Sequence, residues 1–154
     1  MPEFEKLISY LNYLGIDAKP SSFSKRKQLQ KISFMIEELV GLDVGFKFNW
    51  YLHGPYCPEL ARKLFENEKN NEVRNVKLTE AEQNNLLKLK EFIGNDINSS
   101  DNLEILASLC FLLSAGKSQN KNDKEILELL KNKKPFISKE KINEYYTKLQ
   151  SFAL

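Results

Sequence analysis

The stretch Val44–Leu60, VGFKFNWYLHGPYCPEL, limits what this chain can fold into more than any other. Val44, Phe46, Phe48, Trp50 and Leu52 alternate with Gly45, Lys47, Asn49, Tyr51 and His53. A period of two predicts a strand with one apolar face, on which Trp50 is expected as a core anchor beside Phe46 and Phe48. His53-Gly54-Pro55-Tyr56 supplies turn chemistry, with Gly for positive φ and Pro for a preset φ. Pro58 suits the first turn of a following helix, where its missing N–H costs nothing. The same stretch contains the only Trp, the only His and one of the two Cys.

Around it the periodicity is helical. Phe4, Leu7, Ile8, Leu11 and Leu14 predict a short helix stopping at Gly15, and Leu29, Ile32, Ile36, Leu39 and Val40 a second from about Lys25 to Val40, closed by Gly41. Phe34 falls on the polar side of that second helix, which places the helix centrally, covered from two sides. Pro58 to about Glu68 predicts a third helix with Leu60, Ala61, Leu64 and Phe65 inward, followed by a polar loop over Asn67–Asn71. Glu72–Leu78 is the candidate partner for the first strand. Thr79 and Glu82 form a capping box for a fourth helix ending at Gly94, with Leu86, Leu87, Leu89, Phe92 and Ile93 as its apolar set. Asp101 and Glu104 resemble another such box. The helix after them is apolar on every side from Leu103 to Leu113, the pattern of a buried helix, and is expected to end at Gly116. A sixth helix carries Ile126, Leu127, Leu129 and Leu130 up to the break at Pro135, and Ser138 caps a last one. The expected fold class is mainly α (α+β): a compact bundle of about seven helices with a small two-stranded β-sheet, the N-terminal half open to a winged-helix-like reading, in a single domain over residues 1–154.

Composition narrows the functional classes. A chain of 154 residues with 42% hydrophobic and 29% charged side chains is ordinary for a globular protein able to bury a core. Net charge is +2, and basic and acidic groups balance in both halves, 12 to 10 over residues 1–77 and 11 to 11 over 78–154. Nucleic-acid affinity would therefore need a local patch. Cys57 and Cys110 make no disulfide framework, the N-terminus is no signal peptide, and the most apolar run, Leu103–Ala115, is too short to span a bilayer. A cytoplasmic protein without membrane contact is the expectation.

Two segments resemble a known family. Lys27-Gln28-Leu29-Gln30-Lys31-Ile32-Ser33-Phe34 is similar to the K-L-Q-K-apolar-x-aromatic segment of the Panacea antitoxin domain and the related YwgA-like proteins. About 20 residues later, Phe48-Asn49-Trp50-Tyr51-Leu52-His53-Gly54-Pro55-Tyr56 resembles their strand ending in Gly-Pro-Tyr, and Lys133-Lys134-Pro135-Phe136-Ile137-Ser138 resembles the C-terminal part of YwgA-like chains. The family's next helix usually opens with a Ser cap, where this chain has Cys57, a poorer cap. The resemblance implies a compact helical domain, often encoded beside toxins or on mobile elements, that acts by binding a toxin; other members are proposed transcriptional regulators. It implies no catalytic residues.

The residues themselves offer few chemistries. His53 and Cys57, four apart at a helix start, are the only candidate nucleophile–base pair, and such a pair also needs an orienting third group. The plainer reading is that His53 closes a strand and Cys57 a helix start, with a cysteine hydrolase as a distant third function. His53, Cys57 and Cys110 are too few and too dispersed for a zinc site, and the scattered glycines build no phosphate loop. No catalytic, metal or cofactor residue is assigned. Lys25, Arg26, Lys27 and Lys31 are the candidate nucleic-acid contact, the alternative being a solvated helix face. Tyr51, His53 and Tyr56 lie off the apolar strand face and are the candidate partner-binding surface. The expected function is a non-enzymatic regulatory domain, antitoxin-like or mobile-element-associated, that binds a protein partner, a toxin in the family's pattern. A winged-helix-like nucleic-acid-binding regulator is the alternative.

Overall fold

The computed structural model describes residues 2–70 and 73–152. In order these form α1 (Pro2–Tyr13), α2 (Phe23–Val40), β1 (Asn49–Tyr51), β2 (Gly54–Tyr56), α3 (Pro58–Asn70), α4 (Glu80–Ile93), α5 (Ser100–Ser118), α6 (Asp123–Lys133) and α7 (Lys139–Phe152), with a 3₁₀ turn over Gly94–Asn98 between α4 and α5. The expected mainly helical fold with one small sheet is the fold observed. Among the described residues, no helix is long and apolar enough to cross a membrane.

The helix boundaries follow from their caps. Ser22 accepts from Lys25 N at the start of α2, and Gly41, at φ +69°, closes it with its N–H on Glu37 and Ile36 carbonyls. The Thr79/Glu82 capping box opens α4 as expected, and a second, reciprocal box of Asn122 and Glu125 opens α6. At α5 the expectation fails: Ser99 is the cap, accepting from Asn102 N, which frees Asp101 and Glu104 for other partners. Gly116 does not end α5 either. It is buried inside the helix because Ile126 of α6 packs where a Cβ would stand. The predicted loop at Asn67 is helical through Asn70, while Asn71 and Glu72 lie outside the described residues.

Two helices make the centre. Leu103–Cys110 of α5 are all buried, and so is every residue of α2 from Leu29 to Ile36. Phe34, on the polar side of α2 by sequence, is covered by Phe48 and Phe111, with ring centroids 5.7 Å and 5.9 Å away. A winged-helix reading would need α2 to offer a face to a groove, but its middle turns are enclosed.

The alternating stretch keeps its period of two but not its strand. Val44, Phe46 and Phe48 are buried and Gly45, Lys47 and Asn49 exposed, yet only Asn49–Tyr51 enters a ladder. The rings dock on helices instead, Phe46 edge-on to Phe4 of α1 and Phe48 to Phe34 of α2. The strand partner is Gly54–Tyr56, antiparallel, in the register Asn49↔Tyr56, Trp50↔Pro55 and Tyr51↔Gly54. The expected turn Gly54-Pro55-Tyr56 is thus the second strand, and Leu52-His53 is the turn. Val73–Leu78 is not a strand: Val76 N–H donates to Ser9 Oγ at 2.9 Å, so α1 holds the segment by its side chains. Trp50 is half-buried against Phe111, and Leu52, placed by the pattern on the apolar face, is 84% exposed because the chain reverses there. Phe65 and Leu87, expected inward, also face out.

Gly54 combines a φ of +90° with close approach to α5, where any Cβ would run into the Ser108 side chain. Gly54→Ala is expected to lower the unfolding free energy by about 1–3 kcal/mol, from backbone strain and the displaced serine together. Urea unfolding of the two proteins measures it, and an unchanged midpoint would show that the hairpin seats differently.

Candidate functional site

The hairpin sits on the polar face of α2. Spacings of three and four bring Lys27, Gln30 and Lys31 onto one side of that helix. Gln30 clamps the end of the hairpin reciprocally, its Nε2 donating to Cys57 O at 3.0 Å and its Oε1 accepting from Cys57 N at 2.9 Å. Lys31 Nζ donates to Pro55 O at 2.7 Å. These side chains satisfy backbone groups that the short sheet leaves unpaired.

Beside this seat lies a buried charge cluster centred on Glu104 of α5. Lys27 Nζ reaches Glu104 Oε1 at 2.9 Å and Asp101 Oδ1 at 2.8 Å. Lys134, at the C-terminal cap of α6, donates to Glu104 Oε2 at 2.6 Å and to Leu52 O at 3.2 Å. His53 Nδ1 stands 3.2 Å from Glu104 Oε1. Lys27, Lys31, Glu104 and Lys134 are all buried, whereas Asp101 is exposed. One carboxylate therefore ties α2, α5, the hairpin and the α6–α7 connection together.

The charges settle according to their partners. Burial alone would raise the Glu104 carboxyl, but hydrogen bonds from Lys134 and Lys27 and the charges behind them outweigh it, and the group lies below its ordinary value. Burial pulls Lys27 down, and its bonds to Asp101 and Glu104 more than reverse that. Lys31 has no such compensation. Desolvation leads, the neighbouring Lys27 and Lys134 charges add to it, and attraction to Glu104 only partly offsets them, so its pKa falls to about 7. A lysine poised there exchanges its proton near neutrality.

Next to the cluster is a cavity of about 200 Å³. Phe23, Leu64 and Phe65 are among its apolar walls, and Arg26, Lys27, Lys31, His53 and Tyr56 supply the polar groups. Phe23 meets the His53 ring edge-on at 5.1 Å.

The residues singled out by sequence divide accordingly. Of the basic group, Lys25 and Arg26 are half-buried at the start of α2, while Lys27 and Lys31 point inward and form no solvent-facing stripe with them. Neither a basic stripe nor the alternative, a fully solvated helix face, forms there, because the hairpin and α5 cover Lys27 and Lys31. Of the aromatic group, Tyr51 is exposed and packs edge-on to the half-buried Tyr56 at 5.4 Å. His53 is half-buried and pairs with Glu104 and not with Cys57, whose backbone is held by Gln30. Cys57 and Cys110 are buried free thiols, and burial pushes the Cys110 thiol well above its usual range. No group of three or more metal-binding side chains occurs among the described residues.

Glu104, Lys134, Phe23, Leu52 and Phe136 escaped the sequence reading. Glu104 has the spacing of a capping residue, Lys134 and Phe136 fall in a loop, and Leu52 completes an alternation that the turn interrupts. The one available signal is Glu104 itself, the single charged residue in the run Leu103–Leu113. The chain matches no protein-family model, no curated protein and no solved structure.

Proposed function

We propose that this protein is a non-enzymatic interaction domain, antitoxin-like or mobile-element-associated, that binds a protein partner with the tip of its hairpin. The observation that supports the reading is a group of exposed apolar side chains arranged around one buried lysine. Lys134 Nζ holds the Leu52 carbonyl and lies 5.8 Å from the Trp50 ring and 5.9 Å from the Phe136 ring. Leu52 and Phe136 are 84% and 77% exposed, and Tyr51 at 43% extends the surface along β1. Large apolar groups on a tip braced by buried ion pairs are preorganised contact points, and such anchors dominate many protein interfaces. The similarity of residues 27–34 and 48–56 to the antitoxin domain supports the same class.

The test is binding to the product of the gene adjacent to its own, measured with purified proteins. Leu52→Asp and Phe136→Ala are each expected to weaken it by about tenfold or more while leaving the thermal midpoint within ~2 °C, since both side chains are already in solvent. Lys25→Glu/Arg26→Glu is expected to leave it intact. Sequence-selective binding of duplex DNA, steeply salt-dependent and lost in the charge-reversed variant, would replace this reading with the nucleic-acid one.

A further inference from the structure

The cavity beside the hairpin shows a charge imbalance that the protein does not resolve. Its lining includes the cations Arg26, Lys27 and Lys31, with the His53 ring beside them, and no Asp or Glu. Both oxygens of the nearest buried carboxylate are engaged, Oε1 of Glu104 by Lys27 and His53 and Oε2 by Lys134. Lys31 is only 1% exposed, and among the described residues its ammonium makes one hydrogen bond, to Pro55 O, and no salt bridge. An ammonium has three N–H donors. A buried cation left so is costly unless something else accepts from it.

We propose that this cavity is a binding site for a small organic carboxylate: the acid group is taken by Lys31 with Arg26 and His53, and an apolar body of about ring size rests against Phe23, Leu64 and Phe65. The volume of about 200 Å³ is far above the roughly 10–15 Å³ that one water needs. Apolar walls with a few convergent polar groups are the usual make-up of a small-molecule pocket. Inorganic phosphate would satisfy the cations but leave the aromatic walls unused, and a neutral ring would do the reverse. The groups around Lys31 are Lys27 and Arg26 on its own helix, His53 and Tyr56 on the hairpin, Glu104 on α5 and Lys134 after α6. Glu104 is the one carboxylate among them, so an incoming anion adds the missing charge and favours the protonated amine. The site adjoins the hairpin tip through His53 and Tyr56, but neither Leu52 nor Phe136, the residues substituted to test partner binding, lines it.

Isothermal titration and ¹⁵N-detected shifts of the full chain with benzoate, hexanoate, benzamide and inorganic phosphate test the assignment. At pH 6.5, saturable binding of benzoate or hexanoate is expected, with shifts at Lys31, His53 and Phe65, and with benzamide and phosphate each about tenfold or more weaker. Lys31→Met should remove that preference for the carboxylate over benzamide. Binding should take up a proton near pH 7–8, visible as a heat that varies with buffer ionisation enthalpy, because the anion holds the Lys31 proton that the free protein is losing there. Equal binding of benzamide, equal binding of phosphate, a carboxylate preference that survives Lys31→Met, or no saturable shift with either carboxylate would each overturn the proposal.

Discussion

Glu104→Gln is expected to destabilise the protein by about 3–5 kcal/mol, the usual cost of removing one partner from a buried ion pair. The amide keeps the shape and one acceptor oxygen but removes the negative charge that, among the described residues, Lys27 and Lys134 share. Those two ammonium groups, with Lys31 close by, then stand in a low-dielectric site with only the exposed Asp101 opposing them. The effect must also be pH-dependent. A carboxyl held below its ordinary value in the fold stabilises above its unfolded pKa and loses that contribution as pH falls through the folded one. The gap between wild type and variant should therefore be full at pH 7 and narrow as pH falls below the ordinary glutamate value of about 4.3, towards the lower value at which the folded Glu104 takes up its proton. Denaturant unfolding at pH 7 and pH 3.5 measures both. A loss below about 1 kcal/mol at pH 7 would mean the cluster is open to water and behaves as surface pairs do. Replacing Lys27, Glu104 and Lys134 together by Met should cost much less than Glu104→Gln alone, because no unpaired charge remains.

The helices were legible because each carries its own punctuation. Ser22 and Gly41, the Thr79–Glu82 box and the all-round apolar run of α5 act within a few residues of the structure they specify. The hairpin was only half legible. The pattern from Val44 to Trp50 does record alternating burial, but alternation states which face is covered and not what covers it. Helices α1 and α2 fill that role for Phe46 and Phe48, and the real ladder is the three-residue pair that follows. Gly54 and Pro55, read as a turn, work equally well in an edge strand, where Pro55 has no ladder hydrogen to lose.

The buried charge cluster was hidden for a different reason. Lys27 and Lys134 are 107 positions apart, and both meet Glu104 only because three elements converge. Locally, Asp101 and Glu104 fit a capping box and Lys27 and Lys31 fit a wet helix face, so each local reading was self-consistent and displaced by tertiary contact. The same convergence braces the tip of the hairpin. Lys134 is fixed by Glu104 and holds Leu52 by its carbonyl, so the most exposed apolar residue of the hairpin hangs from the most buried part of the charge network.

Lys31 gives the second large effect, and its sign runs opposite to that of Glu104. In the unfolded chain a lysine holds its proton up to about pH 10.4, whereas the folded site releases it near pH 7. Below pH 7 the ammonium is charged in both states and the fold bears the whole penalty of burying it. Between the two values the unfolded chain binds the extra proton, so stability rises with pH across that window. At about 1.4 kcal/mol per pKa unit the full span is on the order of 5 kcal/mol. Lys31→Met removes the titration and keeps the side chain's length, at the pH-independent cost of leaving Pro55 O without its donor, about 1–3 kcal/mol. The variant is therefore expected to be more stable than wild type at pH 6, and to lose that advantage by several kcal/mol towards pH 9.5. Urea midpoints of both proteins at half-unit steps between those limits give the comparison directly, and parallel curves would mean that Lys31 is charged and satisfied in the free protein. A converging pair of curves also predicts what a bound anion does: it moves the wild-type curve towards that of the variant at low pH, because it removes the same penalty by supplying the charge that Lys31 lacks.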